Sequence, residues 1–115
     1  MTSIFRLPGA VKTRSPLVEH DGLVFAVAVA ADKSGLMYQQ TKDALAGIDQ
    51  RLAKIGLDKS RIMTAQVFIA DMSQKAEMNR AWDEWVDANN PPMRACLGVA
   101  LEGKDLVEII VTAAK

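Results

Sequence analysis

At 115 residues the chain is long enough for one domain with a modest core, expected to span 1–115, and too short for two ordinary ones. Half of it is apolar, and 14 basic residues balance 14 acidic ones. That balance argues for an ordered globular chain and removes the electrostatic reason to expect nucleic acid or an anionic membrane surface. No apolar window approaches the roughly 20 residues of a membrane-spanning helix, and residues 1–6 show no secretion signal. A single cysteine, Cys96, fits a reducing cytoplasm, and with His20 as the lone histidine a Cys/His metal site is nearly excluded.

In chain order, residues 4–7 suit a short edge strand closed by Pro8-Gly9, and 10–16 form a polar, basic loop. Residues 17–20 meet Asp21-Gly22, a two-residue hairpin signal. The unbroken apolar run 23–31 follows, its length and β-branching favouring a strand buried on both faces over a helix. After a turn at 32–35, residues 36–55 are expected to be helical, with Thr41, Leu45, Ile48, Leu52 and Ile55 at three- and four-residue steps. Lys42, Asp43, Asp49, Arg51 and Lys54 would form the solvated side. Gly56 suits the position just past the helix end, with Leu57 making the accompanying apolar contact.

The stretch 62–70 alternates, with Met63, Ala65, Val67 and Ile69 on one face and Ile62, Thr64, Gln66 and Phe68 on the other. Asp71 with Gln74 resembles a capping box that opens a helix over 72–88, packed through Met78, Trp82, Trp85 and Val86. Pro91-Pro92 ends it. A strand over 93–101, a turn at 102–104 and a strand over 106–113 complete an α+β chain with both helices on one face of a sheet. Three of the strands are apolar on both sides while two helices cover only one, so the remaining face is expected to meet further copies of the chain.

Arg94 stands at the start of an apolar strand. A guanidinium is always charged and offers five donors, so it needs an anion, either a protein carboxylate such as Glu108 or Asp105 across the last hairpin, or a group on a ligand. Taken alone, Glu108 suits a solvated strand position, Cys96 a small core residue, His20 a turn or interface residue, and Trp82 and Trp85 the core or an interface. Asn79, a weak helix former, implies a side-chain hydrogen bond to a loop or a ligand.

The Pro92-x-Arg94-x-Cys96 step resembles a motif of the RidA/YjgF family of imine/enamine deaminases, part of the endoribonuclease L-PSP superfamily. Ser15 to Gly22, Gln40-Thr41, the stretch 66–72, Met78-Asn79 with Trp82 and Trp85, and Val107-Glu108-Ile109 are similar to further family segments in the same order. The resemblance implies a chorismate-mutase-like fold, a mixed sheet of about six strands with two helices on one face, and a homotrimer whose sheets pack into a central barrel. Its implied activity is hydrolysis of 2-imino or 2-amino-acrylic acids to 2-keto acids and ammonia, with no metal or organic cofactor. Carried over by position, Arg94 would grip the substrate carboxylate in an intersubunit cleft, Glu108 would orient the attacking water, and the backbone at Cys96 would hold the imino nitrogen, with Leu17, Val29 and Asn79 lining the pocket.

Enamines and imines already hydrolyse readily in water, so positioning and one proton relay suffice. The chain departs from the family where Val27-Ala28-Val29 replaces a Ser-Gly-Gln-type run and Leu17 replaces a tyrosine, which makes the pocket more apolar. A trimer that binds small carboxylates without turnover is therefore the alternative. A ribonuclease or translation inhibitor ranks below both, since no basic, aromatic-interleaved groove is seen.

Overall fold

In the computed structural model, which describes residues 3–115, six strands form one sheet in the order β1-β2-β3-β6-β4-β5. β1 (Phe5–Arg6), β2 (Leu17–His20) and β3 (Leu23–Val29) are antiparallel neighbours. The Asp21-Gly22 turn joining β2 and β3 has φ of 52° and 84°, the left-handed pair that a tight hairpin needs and that Asp-Gly supplies.

The last strand, β6 (Val107–Ala114), runs antiparallel between β3 and β4 (Ile62–Ile69). β5 (Met93–Gly98) pairs parallel with the outer edge of β4. The expected closing hairpin is thus absent: although the 102–104 turn is tight, with Gly103 at φ 57°, β5 and β6 are not neighbours. The edge of β4 left free by β6 accepts β5 after a helical crossover, and a crossover makes neighbouring strands parallel.

α1 (Met37–Ala53) is two residues shorter at its C-terminal end than the apolar spacing suggests. Gly56, at φ 77°, follows it, and the N–H groups of Leu57 and Gly56 donate to Leu52 O (2.9 Å) and Ala53 O (3.1 Å). That is the Schellman arrangement expected of Gly at this place.

α2 is shorter than expected, spanning Lys75–Trp85. Residues 72–74 instead form a 3₁₀ turn, opened by Asp71, whose carboxylate accepts from the N–H (3.0 Å) and hydroxyl (2.7 Å) of Ser73. The capping box gives way to an Asp-x-Ser turn. Asp32 with Ser34 and Asp58 with Ser60 repeat it.

Both helices lie against one face of the sheet. Val24, Ala26, Ala28, Ala65, Val67, Val107, Ile109, Val111 and Ala113 meet Leu45, Ile48, Leu52, Met78 and Trp82 there. Burial of each large aliphatic side chain contributes about 1.5–3 kcal/mol. Near the start of β4 the register slips between Ile62 and Thr64. This bulge turns Ile62 into the core and leaves Met63 42% exposed, reversing the expected alternation there.

β3 alternates exposed and buried residues instead of hiding both faces, with Leu23 and Phe25 open to solvent in the single chain. By register the open face also carries Val27, Val29, Glu108, Ile110, Phe68 and Leu97. The two helices therefore account for one side of the sheet only, and the apolar pattern of the other is left without cover.

Candidate functional site

Which face each strand residue occupies follows from the register. Arg94 pairs with Ala65 and Cys96 with Val67, both core-facing, so Arg94 and Cys96 lie on the helix side of β5. Glu108 pairs with Val29 on β3 and Phe68 on β4, on the opposite side. The two residues expected to share a substrate thus stand on opposite faces of one sheet. The alternative of an Arg94–Glu108 ion pair within the chain fails for the same reason.

Arg94 is half-buried. Its Nη1 donates to Met78 Sδ at 3.7 Å, and its Cζ lies 5.2 Å from the centre of the Trp82 ring. Sulfur is a weak acceptor and an aromatic face a modest partner for a cation. None of the three ion pairs among the described residues includes Arg94. Asp105 is taken by Lys33.

Asn79 follows Met78, whose sulfur accepts from Arg94. Tyr38 of α1 donates to Glu84 and stacks 3.5 Å from Arg80, so α1 covers that flank of α2. Successive helix residues turn by about 100°, which puts Asn79 on the flank away from α1, next round from Met78 and Trp82. Its Oδ1 is buried with no hydrogen-bond partner among the described residues. A buried amide oxygen left unpaired costs about 1–3 kcal/mol.

Trp82 and Trp85 pack against each other with centroids 5.3 Å apart at 55°. The Trp85 indole N–H donates to Asp49 at 2.9 Å. The aromatics are structural, and they hold the platform on which the Arg94 guanidinium rests. Cys96 is partly buried against the core. Leu17 is not at a site in the chain: at 1% exposure on the core side of β2 it has no surface for a ligand.

Val29 and Glu108 line a cleft of ≈ 420 Å³ at the end of β3, together with Val27, Arg14, Glu102 and Arg51. It opens because β2 stops at Leu17, opposite Ala26, leaving the rest of β3 flanked by the loop that ends at Pro16. The expected solvated side of α1 is only partly solvated. Asp43 accepts from the Asp32 N–H at 2.8 Å, Asp49 holds Trp85, and Arg51 is half-buried in this cleft. Sequence reasoning passed over Arg51. The available signal was Gly47 four residues earlier, a poor helix former where something must come close.

Among the described residues no group of three or more His, Cys, Asp or Glu side chains is placed to hold a metal ion, and no helix is long and apolar enough to cross a membrane.

Fold and site together define an α+β chain that divides its chemistry between two places. A cation without an anion sits at the α2–β5 edge, and a carboxylate sits in a cleft on the opposite face. The family model for Endoribonuclease L-PSP matches residues 8–115. A RutC family protein of Haemophilus ducreyi is 50% identical over 91 residues, 78% of each chain. The RutC family protein YoaB of Escherichia coli is 38% identical over 101 residues, 87% of this chain and 89% of that one. The crystal structure of a YjgF family member from Neisseria meningitidis superposes with a TM-score of 0.92 at 37% identity, covering 98% of this chain and 95% of the other. The chain belongs to the RidA/YjgF (endoribonuclease L-PSP) family.

Proposed function

We propose that this protein hydrolyses reactive 2-imino and enamine acids to 2-keto acids and ammonia in clefts between copies of the chain. The observations that carry the reading are a half-buried Arg94 that has no carboxylate and a buried, unsatisfied Asn79 oxygen on the same stretch of α2 that Arg94 packs against. A guanidinium fork suits a carboxylate, and an amide oxygen suits an N–H donor. A small acid bearing an imino or amino group supplies both.

Because Arg94 and Glu108 face opposite sides of one sheet, a single substrate meets both only where two chains join. The apolar open face, with Leu23, Phe25 and Leu97 each more than 40% exposed, favours such joining. Three copies closing a ring, sheet against sheet, would cover it without leaving a free patch. In the assembled cleft Arg94 of one copy anchors the carboxylate, and Glu108 of the next orients a water. The water adds to the C=N carbon and its proton passes through Glu108 to nitrogen. The carbinolamine then expels ammonia and leaves the keto acid.

The test is Arg94→Ala, assayed by ammonia release from an imino acid generated in situ, with the association state followed by sedimentation. Charge-assisted hydrogen bonds contribute about 1.5–3 kcal/mol, so kcat/KM should fall roughly 10- to 150-fold while the assembly persists. Unchanged turnover rules the reading out.

One observation favours a second reading. Val27 and Val29 bring no polar side chain to the Glu108 cleft, which suits a trimer that binds 2-keto acids without turnover. Thermal stabilisation by a keto acid, with no imine hydrolysis at any pH, would select it.

A further inference from the structure

Arg51, near the C-terminal end of α1, is turned back into the Glu108 cleft. Its Nη1 donates to Gly47 O at 3.0 Å. Its Nε is buried with no hydrogen-bond partner, and it takes part in none of the three ion pairs among the described residues. Gly47 makes the space: a Cβ there would lie 3.0 Å from Arg51 Nη1 and 3.3 Å from the Ala28 Cβ. A Cβ at that position would make Arg51 Nη1 and the Ala28 Cβ give by a few tenths of an ångström, so a side chain there crowds the guanidinium in its seat.

The same side chain separates two recesses. One is the ≈ 420 Å³ cleft of Val27, Val29 and Glu108. The other, of ≈ 440 Å³, is lined by Val29, Ala30, Lys33, Asp43 and Gln50, and Arg51 and Val29 are the walls they share. An arginine near a helix end ordinarily reaches water. This one is partly desolvated, and burial moves its pKa below the usual arginine value. A cation held at that cost, with donors unspent, calls for an anion.

The carboxylates in the cleft do not supply it. Asp105 is engaged by Lys33, and Glu102 and Glu108 make no ion pair with Arg51. Arg14 and Arg51, with Lys33, offset these three acids, and the one further acid, Asp43 in the second recess, accepts from the Asp32 N–H.

We propose that Arg51 binds a second carboxylate on the ligand, so that the site selects 2-imino and 2-oxo diacids over monoacids with short apolar side chains. The inference rests on the function proposed above. Arg94 of the neighbouring copy holds the carboxylate next to the reacting carbon, Val27 and Val29 contact the methylene groups, and Arg51 receives the far acid. The apolar substitution at 27–29 and the added cation thus serve one purpose: the pocket exchanges a polar side chain near the reacting carbon for a charge further along.

The experiment is calorimetric titration of 2-oxobutyrate and 2-oxoglutarate into the wild-type protein, Arg51→Met, Gly47→Ala and Arg94→Met, with sedimentation run on each. The wild type is expected to bind the diacid at least tenfold more tightly than the monoacid. Arg51→Met should bring that ratio close to one, Gly47→Ala should lower it, and Arg94→Met should weaken both acids together. Equal wild-type affinities, with Arg94→Met still weakening both, overturn the role of Arg51 and leave the parent reading standing. If neither acid binds the wild type, both fall. Dissociation of the assembly by Arg51→Met would make a neighbouring chain's carboxylate its partner, and would also overturn the proposal. Equal affinities of the two acids for the wild type overturn the proposal even if a variant fails to fold.

Discussion

Gln40 is the residue whose loss should be felt most widely. It is 1% exposed in the first turns of α1. Its Nε2 donates to Lys104 O (3.1 Å), Lys33 O (3.2 Å) and Gly35 O (3.4 Å), and its Oε1 accepts from the Leu106 N–H at 2.9 Å. One amide therefore ties the turn before α1 to the turn before β6, two residues from Glu108. Replacing it with Leu keeps an apolar body there and removes every one of these bonds. All four bonds are part-buried, so water reaches some of the groups left behind. At about 1–3 kcal/mol per orphaned group, partly offset by water reaching the turn, the net cost is about 2–4 kcal/mol. Unfolding entropy of about 2.1 cal/mol/K per residue, over 115 residues, converts this to a drop in Tm of about 8–16 °C. The assay is thermal unfolding by circular dichroism at fixed protein concentration, because association raises apparent stability by mass action. A drop below about 4 °C, or roughly 1 kcal/mol, would show that the two turns hold without the tether.

Two further outcomes follow from local geometry. Gly56→Ala places a Cβ at φ 77°, a conformation that costs an L-residue about 1–2 kcal/mol; Tm should fall by about 4–8 °C, and an unchanged Tm would mean that the end of α1 can rearrange at no cost. Asp71 is held below the ordinary carboxylate pKa, chiefly by the Ser73 hydroxyl and then by its N–H. With the folded value lower than the unfolded one, the stabilisation is complete above the unfolded pKa and is lost as pH falls through the folded value. Asp71→Ala should therefore lower Tm at pH 6 and show a shallower fall than the wild type below about pH 4. Parallel curves in the acid range would refute the assignment.

The features legible before folding are those whose cause lies within a few residues. Asp21-Gly22 demanded a left-handed turn, Gly56 with Leu57 announced the end of α1, and Pro91-Pro92 set a limit that α2 does not pass. The family motif at Arg94-Ala95-Cys96 likewise depends on adjacent residues. Asp71 was recognised as a cap, yet its partner is Ser73 and not Gln74, because a 3₁₀ turn brings the residue two positions on into reach before the helix proper begins.

The sequence by itself settled the class of the chain, the order of its helices and strands, and the prominence of Arg94, since periodicity, turn chemistry and charge are local properties. Only the tertiary structure decided that β6 enters between β3 and β4, and that Arg94 and Glu108 look out from opposite faces. It alone decided that Arg51, one of five charges on an ordinary-looking helix side, is folded over Gly47 into a cleft. Strand partners and the face a side chain takes depend on residues far apart in the chain, and a shift of register by a single position reverses every face.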